Sequence, residues 1–102
     1  MAVMMRQTMP AEGSLEMLDA VTEEMDAHSD PPAGMIVHTH YEEGGQIHIM
    51  DVWESVEAYQ RFAEDRLGPA MQTVAARRGV ELPQGGPPEY TVTDVHAVVR
   101  GR

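Results

Sequence analysis

The first residues of the chain alternate between two sides. Over residues 2–9, Val3 and Met5 fall on one side of an extended chain, and Met4 and Arg6 fall on the other. A period of two is typical of a β-strand, because successive side chains of a strand point to opposite faces. The pattern therefore predicts a first strand at the start of the chain.

Apolar residues then recur at helical spacing. Positions 15, 18, 21 and 25 hold Leu, Leu, Val and Met, which predicts an amphipathic helix that begins at Ser14 and ends before the prolines at 31 and 32. Two β-type runs follow, over residues 35–41 and 46–53, and Gly44 and Gly45 lie between them. Because glycine supplies the positive φ angles that a tight turn needs, this segment predicts a hairpin.

A second helical stripe begins after Ser55 and includes Tyr59 and Phe62. Residues 89–99 are rich in Thr, Val and Tyr, which predicts a last strand. The order βαββαβ indicates α+β class and ferredoxin-like topology, in which both helices cover one face of a four-stranded antiparallel sheet. We expect a single domain over residues 1–102.

Both faces of the predicted hairpin are apolar, although the helices of the chain can cover only one of them. A second copy of the same sheet would cover the other face with a single self-complementary patch, so a homodimer is expected. The predicted faces are Ile36, Ile47, Ile49 and Trp53 on one side and Met35, Val37, Met50 and Val52 on the other.

Composition removes several classes of function. Seventeen acidic residues against seven arginines give a net charge of −10, which repels nucleic acids and anionic membrane surfaces. The chain has no cysteine, lysine or asparagine, which excludes thiolate chemistry, Schiff bases and a P-loop. The start of the chain lacks a signal-peptide pattern and no long apolar run occurs, so a cytoplasmic location and no membrane contact are expected.

The segment from Ile49 to Phe62, with the sequence IMDVWESVEAYQRF, resembles the strand-to-helix junction of the dimeric α+β barrel superfamily. That superfamily includes antibiotic-biosynthesis monooxygenases and haem-degrading monooxygenases. The resemblance implies a ligand pocket between the sheet and the helices of each subunit. It also places Phe62 where haem-degrading members carry a Trp, and Val74 close to where they carry a haem-ligating His, so haem is an alternative cofactor that these residues disfavour.

The strand histidines are the main candidates for chemistry. His38 and His40 share a face of one strand, since side chains two apart point the same way. A two-residue turn would place His48 on the opposite face, whereas a turn of odd length would bring it beside them as a divalent transition-metal site. Three roles remain open for these imidazoles: metal ligands, ordinary structural residues, or acid–base groups.

Two further groups could line a site. His96 follows Asp94 on the same face of the last strand, where a carboxylate could fix the tautomer of the imidazole. Trp53, Tyr59 and Phe62 could form either core or a platform for a flat ligand.

The favoured hypothesis is a small-molecule enzyme that resembles the cofactor-independent monooxygenases or the cyclases and isomerases of that superfamily. Its substrate would be an aromatic or polyketide-like compound. The predicted catalytic residues are His38, His96 and Asp94, and the predicted substrate contacts are His40, Trp53, Tyr59 and Phe62. The alternative is a dimeric protein that binds a ligand, haem or a metal without turnover.

Overall fold

The computed structural model describes residues 1–10, 14–80 and 90–101. Its antiparallel sheet has the strand order β2-β3-β1-β4, and helix α1 connects β1 with β2. A second helical run follows β3, so the sheet and its connections have the predicted α+β, ferredoxin-like topology. The strands are β1 (Val3–Pro10), β2 (Met35–Glu43), β3 (Gln46–Trp53) and β4 (Thr91–Asp94), and α1 spans Ser14–Glu24.

The second helical run has three parts: α2 (Val56–Phe62), a π-helical turn (Ala63–Leu67) and α3 (Gly68–Arg78). Ser55 caps its N-terminus, because the hydroxyl oxygen accepts a hydrogen bond of 3.1 Å from the backbone N–H of Ala58. The run ends where Gly79 adopts a left-handed φ of 65°, as a C-terminal glycine does. Both ends of this run therefore agree with the local sequence.

The hairpin turn has two residues, because Glu43 pairs with Gln46 across it. Gly44 and Gly45 have φ angles of 62° and 76°, which confirms the predicted tight glycine turn. This turn sets the register of β2 against β3, and the register decides which histidines share a face.

The core lies between the helices and one face of the sheet. Trp53 is fully buried at the end of β3. A smaller cluster of Val21, Ala70 and Val74 packs α1 against α3. The main cluster consists of Val3, Met5, Ile49, Trp53, Tyr59 and Phe62.

Gly34 marks a close approach of the chain to α2. Its φ is 84°, and a Cβ at this position would lie 2.6 Å from the Cβ of Ala58. Its carbonyl oxygen also accepts a hydrogen bond of 2.8 Å from the backbone N–H of Glu54. Only glycine fits both the backbone conformation and the space where β2 begins.

Two sequence predictions about the strands are wrong. A bulge between Met35 and Val37 shifts the start of β2, so Met35 packs with the core beside Trp53 instead of facing away from it. The last strand is shorter than predicted, because β4 ends at Asp94. Residues 81–89, which include the first residue of the predicted strand, lie outside the described residues.

Within the described ranges, no helix is both long enough and apolar enough to cross a bilayer.

Candidate functional site

A buried carboxylate on β3 lies beside a histidine of the neighbouring strand β2. Asp51 of β3 points toward the helices among apolar residues, and it is 2% exposed. Its Oδ1 lies 2.6 Å from Nδ1 of His38, and its Oδ2 accepts a hydrogen bond of 3.2 Å from Nε1 of Trp53. Both carboxylate oxygens are therefore hydrogen-bonded, and these hydrogen bonds offset the free-energy cost of removing the carboxylate from water.

The hydrogen bonds continue from His38 toward the surface. His38 Nε2 lies 2.9 Å from His40 Nδ1, and His40 Nε2 lies 3.0 Å from Oδ1 of Asp19 on α1. The side chains of Asp51, His38, His40 and Asp19 are 3%, 30%, 17% and 68% exposed. The four groups form one hydrogen-bonded chain from the core to solvent, which we call the Asp-His-His-Asp chain.

The register of the hairpin builds this chain. His38 pairs with Asp51 and His40 pairs with Ile49, so both histidines lie on the helix-covered face of the sheet. Side chains two residues apart on one strand point to the same face, which brings the two rings to a centroid distance of 5.1 Å. Helix α1 then packs against β2 and supplies Asp19.

The predicted aromatic residues lie behind Asp51. Trp53 contacts Tyr59 and Phe62 at ring-centroid distances of 5.6 and 5.1 Å, and all three are buried in the core. The pKa of Tyr59 is raised to about 12, first by burial and then by electrostatic repulsion from Tyr90 and Asp51 nearby. This phenol is neutral at physiological pH. Contact of these aromatic rings with a substrate remains a prediction.

His48 points to the other face of the sheet. There it stacks on Tyr41 at a ring-centroid distance of 5.1 Å, and its Nδ1 lies 3.4 Å from the hydroxyl of Thr8. The alternative metal site of His38, His40 and His48 is therefore wrong, since a two-residue turn separates them. In the described part of the chain, no three His, Cys, Asp or Glu side chains come together to hold a metal ion.

An open groove of about 860 Å³ runs along this other face, beside His48. Arg6 and Thr8 of β1 line it together with Tyr41 and Met50. Most of its lining residues belong to the sheet face that the helices leave uncovered, and none belongs to the Asp-His-His-Asp chain.

The structure does not place His96 where the sequence predicts it. β4 ends at Asp94, and His96 lies beyond the strand with its side chain exposed. The strand alternation that would align the two side chains stops between them. Neither residue belongs to the Asp-His-His-Asp chain, and a catalytic role for them remains a prediction.

Sequence reasoning missed Asp51 and Asp19. A signal for Asp51 existed, because a lone carboxylate occupies the face of β3 that otherwise holds Ile47, Ile49 and Trp53. Such a residue needs partners if it is to be buried. Asp19 gave no comparable signal, since its contact with His40 depends on how α1 docks on the sheet.

Comparisons with known proteins agree on the fold. No protein-family model matches the sequence, and no curated protein matches it significantly. A solved structure of the antibiotic biosynthesis monooxygenase type, from Chloroflexus aurantiacus, is similar with 19% identity and a TM-score of 0.61, covering 99% of this chain and 100% of the other. This chain shares the α+β fold of that structure.

Other solved structures of similar fold differ in the activity that they are named for. The cofactor-independent oxygenase SnoaB from Streptomyces nogalater has 13% identity and a TM-score of 0.58, covering 96% of this chain and 95% of the other. A haem-degrading protein from Mycobacterium tuberculosis has 18% identity and a TM-score of 0.55, covering 97% and 99%. At these identities the similarity establishes the α+β, ferredoxin-like fold and leaves the reaction open.

The residues of this chain do not fit haem. Val74 is 1% exposed and packs with Val21 and Ala70, so the position where the resemblance places a haem ligand holds an apolar core residue. Phe62 is likewise a core residue that packs against Trp53. Neither side chain has an atom that could coordinate iron.

Proposed function

We propose that this chain is a cofactor-independent enzyme that removes a proton from a small aromatic or polyketide-like compound, with His38 as the base. The observation that carries the proposal is the 2.6 Å hydrogen bond between His38 Nδ1 and the buried carboxylate of Asp51. A carboxylate that accepts the Nδ1 proton fixes the tautomer of the ring and leaves Nε2 as the basic nitrogen. It also stabilises the imidazolium that forms when Nε2 takes up a proton.

The second nitrogen of His38 supports a proton-abstracting role. Its Nε2 is bonded to His40 Nδ1 at 2.9 Å, and the His38 side chain is 30% exposed. A substrate O–H or C–H would take the place of the His40 Nδ1–H group, because both groups direct a hydrogen at the lone pair of His38 Nε2. His40 would then contact the substrate beside the base.

Loss of a proton next to an aromatic ring gives a delocalised carbanion. Such a carbanion can react with dioxygen or can be protonated at another carbon, and neither outcome requires a bound cofactor. The first outcome corresponds to a monooxygenase-like enzyme and the second to an isomerase or cyclase. The shared fold with a cofactor-independent oxygenase supports the first.

The test uses hydroxylated naphthalenes and anthracenes as probes, with dioxygen consumption and product spectra as the measurements. His38→Gln should lower turnover by roughly 10²–10⁴-fold, the usual contribution of a general base. His48→Gln is the matched control, because it removes an imidazole from the opposite face of the sheet. Equal turnover in the wild type and His38→Gln would refute the proposal, and loss only in His96→Gln would favour the sequence-predicted histidine instead.

The second candidate is a dimeric protein that binds a ligand without turnover. The observation that favours it is that both ring nitrogens of His38 and of His40 already have partners, as in a structural network. Stoichiometric binding of a probe, with no product and no dioxygen uptake, would support this candidate over the enzyme.

We further propose that the chain is a homodimer through the uncovered face of the sheet. That face carries Met4, Met50 and Val52, which are only partly buried, and Val37, which is 42% exposed. A second copy would remove this apolar surface from water. Light scattering at micromolar concentration should give twice the chain mass of 11.3 kDa, and a mass of 11.3 kDa would refute the dimer.

A further inference from the structure

We infer that His38 and His40 together hold one proton more than two neutral imidazoles, and that the Asp-His-His-Asp chain exchanges this proton with solvent. The inference starts from three consecutive contacts, Asp51–His38, His38–His40 and His40–Asp19, at 2.6, 2.9 and 3.0 Å. Each of these distances is that of a hydrogen bond, and each hydrogen bond contains one proton.

Counting these protons gives the charge of the histidine pair. An ionised carboxylate only accepts hydrogen bonds, so Asp51 requires a proton on His38 Nδ1 and Asp19 requires one on His40 Nε2. The contact between His38 Nε2 and His40 Nδ1 requires a third. Two neutral imidazoles carry only two N–H protons, so the pair carries one in excess and a charge of +1.

The excess proton lies between two nitrogens that are equivalent in kind. When the proton is bonded to Nε2 of His38, the imidazolium is His38. When the proton is bonded to Nδ1 of His40, the imidazolium is His40. Moving it across the 2.9 Å contact transfers the charge without moving either ring. The charge therefore passes from the ring that contacts buried Asp51 to the ring that contacts Asp19.

The charged groups around the pair favour this positive charge. Asp51 faces it from β3 and Asp19 faces it from α1, while Glu16 and Glu23 lie one helical turn on either side of Asp19 and are exposed. His48 lies across the sheet on the other face. An imidazolium between two carboxylates forms charge-assisted hydrogen bonds, which are stronger than neutral ones.

The end of the route lies in solvent. Asp19 is 68% exposed, so water reaches the carboxylate that holds the outer proton of His40. The part played by this route in turnover rests on the proposed function. As substrate displaces His40, the excess proton leaves through Asp19 to water, which frees the lone pair of His38 Nε2. His38 Nε2 then accepts a proton from substrate, and when His40 returns to this nitrogen the pair again holds one excess proton. Asp19 acts through the two histidines, as a positioning residue for their shared proton.

The test is nitrogen-15 NMR of protein with labelled histidine rings at pH 7, which distinguishes protonated from unprotonated ring nitrogens. His38→Gln and His40→Gln assign the signals. In the wild type, His38 Nδ1 and His40 Nε2 should be fully protonated. His38 Nε2 and His40 Nδ1 should have shifts between the two extremes, because they share the third proton.

Asp19→Ala removes the acceptor at the outer end and should release the excess proton. His40 Nε2 and His38 Nε2 should then appear as unprotonated nitrogens, with one proton left on each ring. Glu23→Ala is the matched control, since it removes an exposed carboxylate from the same helix and should leave all four shifts as in the wild type. Alanine favours a helix, so neither substitution should disturb folding.

Two results would overturn the inference. The first is a wild-type pair with only two ring protons, and the second is an Asp19→Ala spectrum that matches the wild type. In both cases a protonated Nδ1 on His38 would leave the proposed function intact. An unprotonated Nδ1 on His38 in the wild type would instead contradict the proposed function itself, so the two failures are distinguishable.

Discussion

Trp53→Ala is expected to lower the free energy of unfolding by about 3–5 kcal/mol, the range for truncating a buried large aromatic residue. Trp53 is fully buried and contacts both Tyr59 and Phe62. Its removal would leave a cavity where β3 passes into α2, and the surrounding rings can close it only in part. Denaturant unfolding followed by far-UV circular dichroism measures the change, since the variant has no tryptophan left to report it.

Trp53→Phe separates packing from hydrogen bonding at the same position. The smaller ring retains most of the contact with Tyr59 and Phe62 but cannot donate to Asp51 Oδ2. The expected loss is about 1.5–3 kcal/mol from a hydrogen bond to a charged group, plus a smaller packing term. If Trp53→Ala unfolds at the wild-type denaturant midpoint, Trp53 does not support the core as described.

The fold could be predicted from the sequence because local signals agree with one another. The glycines at 44 and 45 specify a two-residue turn, the turn sets the register, and the register separates His48 from His38 and His40. The bulge at the start of β2 could not be predicted, because no glycine or proline marks it within the strand. One extra residue there moves Met35 to the opposite face.

The candidate site was predictable only in part, for a physical reason. His38 and His40 lie two residues apart on one strand, so local geometry alone places them together. Their carboxylate partners come from other elements: Asp51 is 13 residues from His38, and Asp19 is 21 residues from His40. Such contacts depend on strand pairing and helix docking, which a sequence pattern specifies only after the fold is known.

Asp94 and His96 show that a suggestive sequence pair need not form a buried site. Asp94 and His96 form a neighbouring acid and imidazole in the sequence, which is as suggestive a pair as His38 and Asp51. In the structure both are exposed and the strand ends between them. Burial distinguishes the two pairs, because a carboxylate in water needs no imidazole partner whereas Asp51, at 2% exposure, does.

Asp51→Ala is expected to lower the free energy of unfolding by about 1–3 kcal/mol for the buried Trp53 donor that loses its acceptor, and by a smaller amount for the partly exposed His38 donor. The substitution leaves the buried Nε1–H of Trp53 without its acceptor, and it removes the carboxylate oxygen that lies 2.6 Å from His38 Nδ1. Asp94→Ala is the matched control, because it removes an exposed carboxylate from the same sheet and should change stability by less than about 0.5 kcal/mol.

Asp51→Asn tests the chemistry of the same position at smaller cost to the fold. The amide oxygen can still accept from Trp53 Nε1, while its NH₂ group would donate to His38 Nδ1. That reversal moves the ring proton of His38 to Nε2 and removes the basic nitrogen that the proposed reaction uses. Asp51→Asn should therefore stay folded and lose turnover as His38→Gln does, by roughly 10²-fold or more. If Asp51→Ala and Asp94→Ala unfold at the same denaturant midpoint, the buried carboxylate does not stabilise the fold. If Asp51→Asn keeps full turnover, the carboxylate does not set the protonation state of His38.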